Sequence, residues 1–174
     1  MTVMNGSRPG PGEYAPYYEK YVSLVEGEDI VSRLGAQLSD TLALLRGATE
    51  RQAESRYEPG KWSVKQVVGH VLDVERIFGC RALLFARGEH SPLPGCDQDV
   101  LMRGAAFDSY RLGELASEFE HARLASVSFF RHLSGEAWDR RGVASGAEVS
   151  VRALAYIMAG HELHHARIIR ERYL

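Results

Sequence analysis

The chain has 174 residues, 45% of them apolar and 25% charged, with a formal net charge of −2. That is the size and composition of one globular domain able to bury its own core, and it excludes the basic excess of a nucleic-acid or anionic-membrane binder. No apolar run approaches the ~20 residues of a membrane span, and two cysteines with fifteen residues between them (Cys80, Cys96) make neither a disulfide framework nor a metal pattern.

Residues 1–13, rich in Gly and Pro, are expected to form a flexible N-terminal tail; the segment lacks the apolar middle of a secretion signal, and a reducing, cytoplasmic setting is expected. Residues 14–174 are expected to form a single domain. It opens with an aromatic arm, EYAPYYEKYVSLVEG, expected to pack over the body through Tyr14, Tyr17, Tyr18 and Tyr21.

Ile30, Leu34, Leu38, Leu42 and Leu45 recur at helical spacing and predict a first helix from about Glu28 to Arg46. A second opens after Pro59-Gly60, with Ser63 as cap and Gln66 completing a capping box, and runs to about Phe85. The connection GEHSPLPGCDQD, broken by a short helix near Gln98–Ala106, is long enough to suggest a functional loop. Leu112, Leu115, Phe119, Leu124, Val127 and Phe130 predict a third helix from Asp108 or Ser109 to Leu133. SGEAWDRRGVASGAEVS reads as a loop or short hairpin, and a fourth helix follows the cap Ser150 to about Tyr173. Four amphipathic helices predict an all-α four-helix bundle, with connections too long for a simple up-down arrangement.

The fourth helix carries His161-Glu162-Leu163-His164-His165, literally H-E-x-x-H, the pattern of many zinc proteases. At 100° per residue, Leu154, Ile157 and Ile168 fall within about 40° of His161, His165 lies at about 40°, and His164 lies at the border. Two inward imidazoles at i and i+4 are within reach of one ion; without a partner, each buried ring nitrogen costs ~1–3 kcal/mol. Whether they hold a metal or only hydrogen-bond within the core stays open on this helix alone.

A protease takes its third ligand from beyond the motif, yet among the nine residues after His165 only Glu171 is a candidate, on the same helix and more than a turn away. A third ligand is therefore expected upstream, and His70, on the apolar face with Val67, Val74 and Ile77, is the best placed. His121 and His132 read as solvated, and His90 as a loop residue.

These segments also carry a resemblance. YEPGKWSVKQVVGHVLDVERIFGCRALLFARGE, LPGCDQD and SVRALAYIMAGHELHHARII resemble the DinB-like family of metal-binding four-helix bundles, over nearly the whole chain from Tyr14 to Tyr173. The resemblance implies one divalent ion, zinc or nickel, on His70, His161 and His165. It further implies a homodimer, and relatives that are transferases and isomerases using mycothiol or bacillithiol. The expected function is thus a metal-dependent thiol S-transferase or isomerase with a low-molecular-weight thiol and a small-molecule substrate. The alternatives are hydrolysis by metal-activated water, or metal binding without turnover. Glu162 is the base to test for hydrolysis, although about 100° from His161 it reads rather as a border residue paired with a nearby Arg. Asp73, one turn after His70, is a candidate to orient an imidazole or a surface partner of Arg76. Arg81, on the face of His70, is a candidate for binding a substrate carboxylate or a partner of a bundle carboxylate. Asp97 and Asp99 are candidates for the pocket mouth or for capping the short helix.

Overall fold

The computed structural model describes residues 6–174. Its elements in chain order are α1 (Glu19–Val22), α2 (Ile30–Gly47), α3 (Glu50–Glu54), α4 (Val64–Ala86), α5 (Gln98–Gly104), α6 (Leu112–Arg131), α7 (Gly135–Asp139), β1 (Arg141–Ala144), β2 (Ala147–Ser150) and α8 (Val151–Arg172). The four long helices α2, α4, α6 and α8, of 18, 23, 20 and 22 residues, are the four predicted. Their starts follow local chemistry. Asp29 accepts from the Ser32 amide, Ser63 and Gln66 form the expected capping box, and Ser150 accepts from the Ala153 amide. Helix α6 begins later than predicted, at Leu112, because Asp108 is drawn into a 3₁₀ turn (Phe107–Ser109) and accepts from the Ser63 hydroxyl at 2.5 Å instead of capping α6. No helix among the described residues is long and apolar enough to cross a membrane.

The packing order accounts for two of the three long connections, those after α2 and α6; the longest, residues 87–111, joins the neighbours α4 and α6. Helix α4 lies against α8 and α6, and α2 lies against the same two, so the consecutive long helices α2 and α4 sit on a diagonal, as do α6 and α8. A short turn can join neighbours, whereas a diagonal crossing needs more chain. The connection after α6 uses its length for a hairpin in which β1 pairs antiparallel with β2 through a two-residue turn. Ser145 and Gly146 both have positive φ, 55° and 77°, the backbone of a type I′ turn. Leu93 joins the hairpin edge through its amide to the Val143 carbonyl (2.9 Å) and its carbonyl to the Ser145 amide (3.2 Å). The long loop after α4 is thereby pinned beside the C-terminal half of that helix.

A polar layer divides the core in two. On one side lie Ile30, Phe78, Phe130, Trp138 and Leu154; on the other Leu42, Leu72, Leu115, Phe119 and Ile169. Between them, fully buried Arg123 of α6 forks onto Glu75 of α4 with two 2.9 Å bonds and reaches Glu162 of α8 at 2.6 Å. It also donates to the Leu34 carbonyl of α2 at 3.2 Å. One guanidinium therefore ties all four long helices at mid-height.

Of the segment expected to be a flexible tail, residues 1–5 lie outside the described residues, and from Gly6 onward it makes specific bonds to the rest of the chain. Arg8 donates to the carbonyls of Val25 (2.6 Å) and Val22 (3.0 Å), and Glu13 accepts from Ser150 (2.7 Å) and Arg152 (2.8 Å). These bonds satisfy polar groups that the arm would otherwise bury, and they tie Arg8 and Glu13 to the arm and to α8.

The arm itself docks through α1 onto α8, and the contact requires glycine. A Cβ on Gly160 would lie 2.0 Å from the Tyr21 carbonyl oxygen. Gly160→Ala is expected to push α1 off its seat at a cost of about 1–3 kcal/mol. Faster proteolysis within residues 14–27 and a lowered urea midpoint are the expected readings; an unchanged midpoint would mean that the arm is not held there.

Candidate metal centre

Helices α4 and α8 bring the three predicted histidines together. His70, His161 and His165 each offer a ring nitrogen, and these atoms lie within 4.8 Å of one another. The Nε2 atoms of His70 and His161 are 3.0 Å apart, close to the ~3.3 Å edge of a tetrahedron with metal–nitrogen bonds of ~2.0 Å. The three ring centroids are separated by 4.8, 5.0 and 4.5 Å. His70 and His161 are buried, 7% and 5% exposed, and His165 is half-buried.

The surroundings keep the rings uncharged. Burial pushes His70 down to about 4 and His165 down to about 3. It lowers His161 well below the usual imidazole range, with repulsion from His165 and His70 adding to the effect. Neutral imidazoles carry free lone pairs at pH 7, the form in which histidine binds metals. His165 Nδ1 is buried with no hydrogen-bond partner among the described residues. A buried nitrogen without a partner, in a converging three-imidazole set, fits a divalent ion, and no carboxylate of the described residues belongs to the cluster.

Beside His70 and His161 lies a cavity of about 380 Å³. The α4 side chains Asp73, Ile77, Phe78 and Arg81 line one side, and the arm tyrosines Tyr17, Tyr18 and Tyr21 line another. Tyr21 packs edge-on against His161, with centroids 5.2 Å apart. The arm tyrosines are therefore walls of the site as well as packing, which was not apparent from the sequence because their spacing says nothing about where the arm lands.

The remaining predicted residues separate in role. Glu162, considered as a base, is turned into the polar layer: Oε1 accepts from Thr41 (2.6 Å), and Oε2 accepts from Gln37 (3.1 Å) and Arg123 (2.6 Å). With both oxygens bonded and the residue 2% exposed, it is neither a border residue nor a base aimed at the cavity. Asp73 lines the cavity without a hydrogen bond to His70; desolvation raises its carboxyl, against an opposing pull from Arg76. Arg76 pairs with Glu118 instead. Arg81 is 6% exposed and donates to the Pro94 carbonyl (2.9 Å) and the Ser145 hydroxyl (3.2 Å), so the expected bundle carboxylate is not its partner. Asp97 both lines the cavity and caps α5 through the amides of Asp99 and Val100. His132 bonds the Ser128 carbonyl at 2.7 Å on the surface.

Arg123 and Glu75 were not singled out from the sequence, yet a signal existed. Arg123 falls four residues after Phe119 and four before Val127, a charge placed on the apolar stripe of its own helix.

Comparison with family models gives a match over residues 33–169 to the DinB superfamily. The chain belongs to this family. Among solved structures, YfiT from Bacillus subtilis superposes with a TM-score of 0.69 at 16% identity, covering 95% of this chain and 91% of that one. YfiT is described as "a probable metal-dependent hydrolase with an unusual four-helix bundle topology". A DinB-like protein from Bacillus subtilis, YjoA, gives 0.59 at 21% identity over 82% of this chain and 87% of that one. At these identities the likeness concerns the fold, and the diagonal helix order is a feature of this DinB-superfamily chain in its own right. Comparison with curated proteins returns no match.

Proposed function

We propose that this protein is a metal-dependent enzyme acting on a small molecule, with His70, His161 and His165 holding one divalent ion, zinc or nickel, and a low-molecular-weight thiol as co-substrate for S-transfer or isomerisation. The observation that carries this reading is the set of three imidazoles converging beside a cavity of about 380 Å³. Such an ion, when bound, supplies a Lewis acid that makes a thiol or a water acidic at neutral pH. The chain's own contribution is to fix the rings and to dry the site. Tyr21 packs against His161 and Trp62 against His70, with centroids 5.2 and 5.1 Å apart, limiting ring rotation and water access.

Thiol chemistry is placed ahead of hydrolysis because Glu162, the base of the H-E-x-x-H pattern, is bonded to Arg123 and Thr41. A thiol brings its own nucleophile and needs no such base once its proton is lost. Asp73 supports the second reading, hydrolysis. It lines the cavity beside His70 and His161, a carboxylate in reach of the site, and burial raises its carboxyl.

Metal analysis of the purified protein is the first measurement, with one equivalent of zinc or nickel expected. The loaded protein is then assayed with a chlorodinitrobenzene electrophile and several small thiols, and with nitrophenyl esters in the absence of thiol. Thiol-dependent turnover supports S-transfer; ester turnover without thiol, lost in Asp73→Asn, supports hydrolysis. Stoichiometric metal with neither turnover would leave a binding protein and end the enzymatic reading.

A further inference from the structure

Arg81 is the one Lys or Arg side chain that lines the cavity among the described residues. A buried guanidinium ordinarily has a carboxylate partner, because its desolvation is otherwise uncompensated. Here no carboxylate oxygen of the described residues lies within 4.0 Å of it. The bonds to Pro94 and Ser145 both use the same nitrogen, Nη2. Those neutral acceptors fix the plane of the fork and leave the other donors uncommitted to any acidic residue. Both come from loops that the fold pins in place, the Leu93 bridge and the Ser145-Gly146 turn.

The direction of the side chain adds a length. Arg81 is eleven residues after His70, about 20° round the helix, and so on the same face. Side chains of a helix lean toward its N-terminus. The guanidinium accordingly stacks over Phe78, 5.2 Å from the ring centroid, one turn back toward the histidines. The span left between the guanidinium and the level of the His70 Cα is about two turns, ~11 Å. Apolar Val74, Ile77 and Phe78 line it, facing Tyr18 and Tyr21.

We propose that the cavity takes an elongated small substrate with a carboxylate at one end, held by Arg81, and an apolar or aromatic middle that carries the opposite, reacting end to the histidine cluster. The proposal rests on the enzymatic reading above only for which end reacts. A carboxylate suits the site better than a phosphate dianion, because Asp73 and Asp97 line the same cavity and one guanidinium would face both added charges.

Phenylbutanoate and its uncharged amide serve as probes, titrated into the purified protein by calorimetry. Wild type is expected to prefer the carboxylate by roughly tenfold to a hundredfold, the range of a charge-assisted hydrogen-bond pair. Arg81→Gln is expected to bring that preference near unity with the amide affinity retained. Arg81→Lys, which keeps the charge and loses the fork, is expected to fall between them and serves where the glutamine variant does not fold. His165→Ala is the companion variant. A preference that survives Arg81→Gln and disappears in His165→Ala would assign the carboxylate to the metal, overturning the role of Arg81 and supporting the metal reading. A preference lost in Arg81→Gln from a protein with no metal would uphold this inference and sink the enzymatic one. Equal affinity for the two probes, or no saturable binding of the carboxylate with a dissociation constant of about 1 mM or tighter, would overturn the proposal.

Discussion

Arg123→Met is expected to lower the unfolding free energy by about 3–5 kcal/mol, the cost of leaving a buried ionic partner unpaired. In this fold one guanidinium serves Glu75 and Glu162, 3% and 2% exposed, so its removal strands two carboxylates at the centre of the core. Their mutual repulsion adds to their desolvation. The sharper part of the prediction is non-additivity. Glu75→Leu and Glu162→Leu are each expected to destabilise the wild type. Combined with Arg123→Met, the triple variant is expected to recover most of the loss, since a well-packed apolar layer is often as stable as a buried ionic one. Equilibrium denaturation of the single, double and triple variants measures this directly. A single Arg123→Met variant within about 1 kcal/mol of wild type, the scale of a surface ion pair, would show that the layer is hydrated and loosely held.

The same layer shows why part of the molecule was legible in the sequence and part was not. Helix positions followed from apolar spacing and caps, both local properties, and Ser63 and Ser150 cap where their neighbours dictate. The three histidines were legible because each sits on its helix's apolar stripe, and a stripe position implies an inward direction whatever the partner helix is. Glu162 lies off that stripe's centre and was read as a border residue. Its burial depends on α2 and α6 both crossing beside it, with Gln37, Thr41 and Arg123 supplying the bonds. Nothing within α8 encodes those crossings. The arm presents the same limit. Its tyrosines declared that it would pack, but its landing place depends on Gly160, a residue 139 positions after Tyr21 whose lack of a side chain admits the arm's backbone. Long-range pairings of this kind, including Arg81 with Pro94 and Ser145, come from topology rather than from periodicity.

His161→Ala is expected to abolish stoichiometric metal binding, and His70→Ala and His165→Ala to do the same, whereas His164→Ala is expected to keep it. His164 is near the cluster, its ring 5.1 Å from that of His165, but it is not one of the three converging donors. This makes it a control for loss of a neighbouring imidazole. Stability separates the metal reading from a purely structural one. The metal-free wild type carries a buried His165 Nδ1 without a partner, a penalty of ~1–3 kcal/mol, which His165→Leu removes. His165→Leu is therefore expected to match or exceed the wild type in thermal stability when both are stripped by chelator. On adding zinc at 1,000 times its dissociation constant, the wild type is expected to gain about 4 kcal/mol, and the variant little. The order of the two melting temperatures then reverses between chelated and metal-loaded protein. Histidines that merely completed a hydrogen-bonded core would give the opposite result in chelator, a variant less stable than wild type, and no response to the ion. A reversal of order requires residues placed for a ligand at the expense of the empty fold, as strain and unmet polar groups are at functional sites.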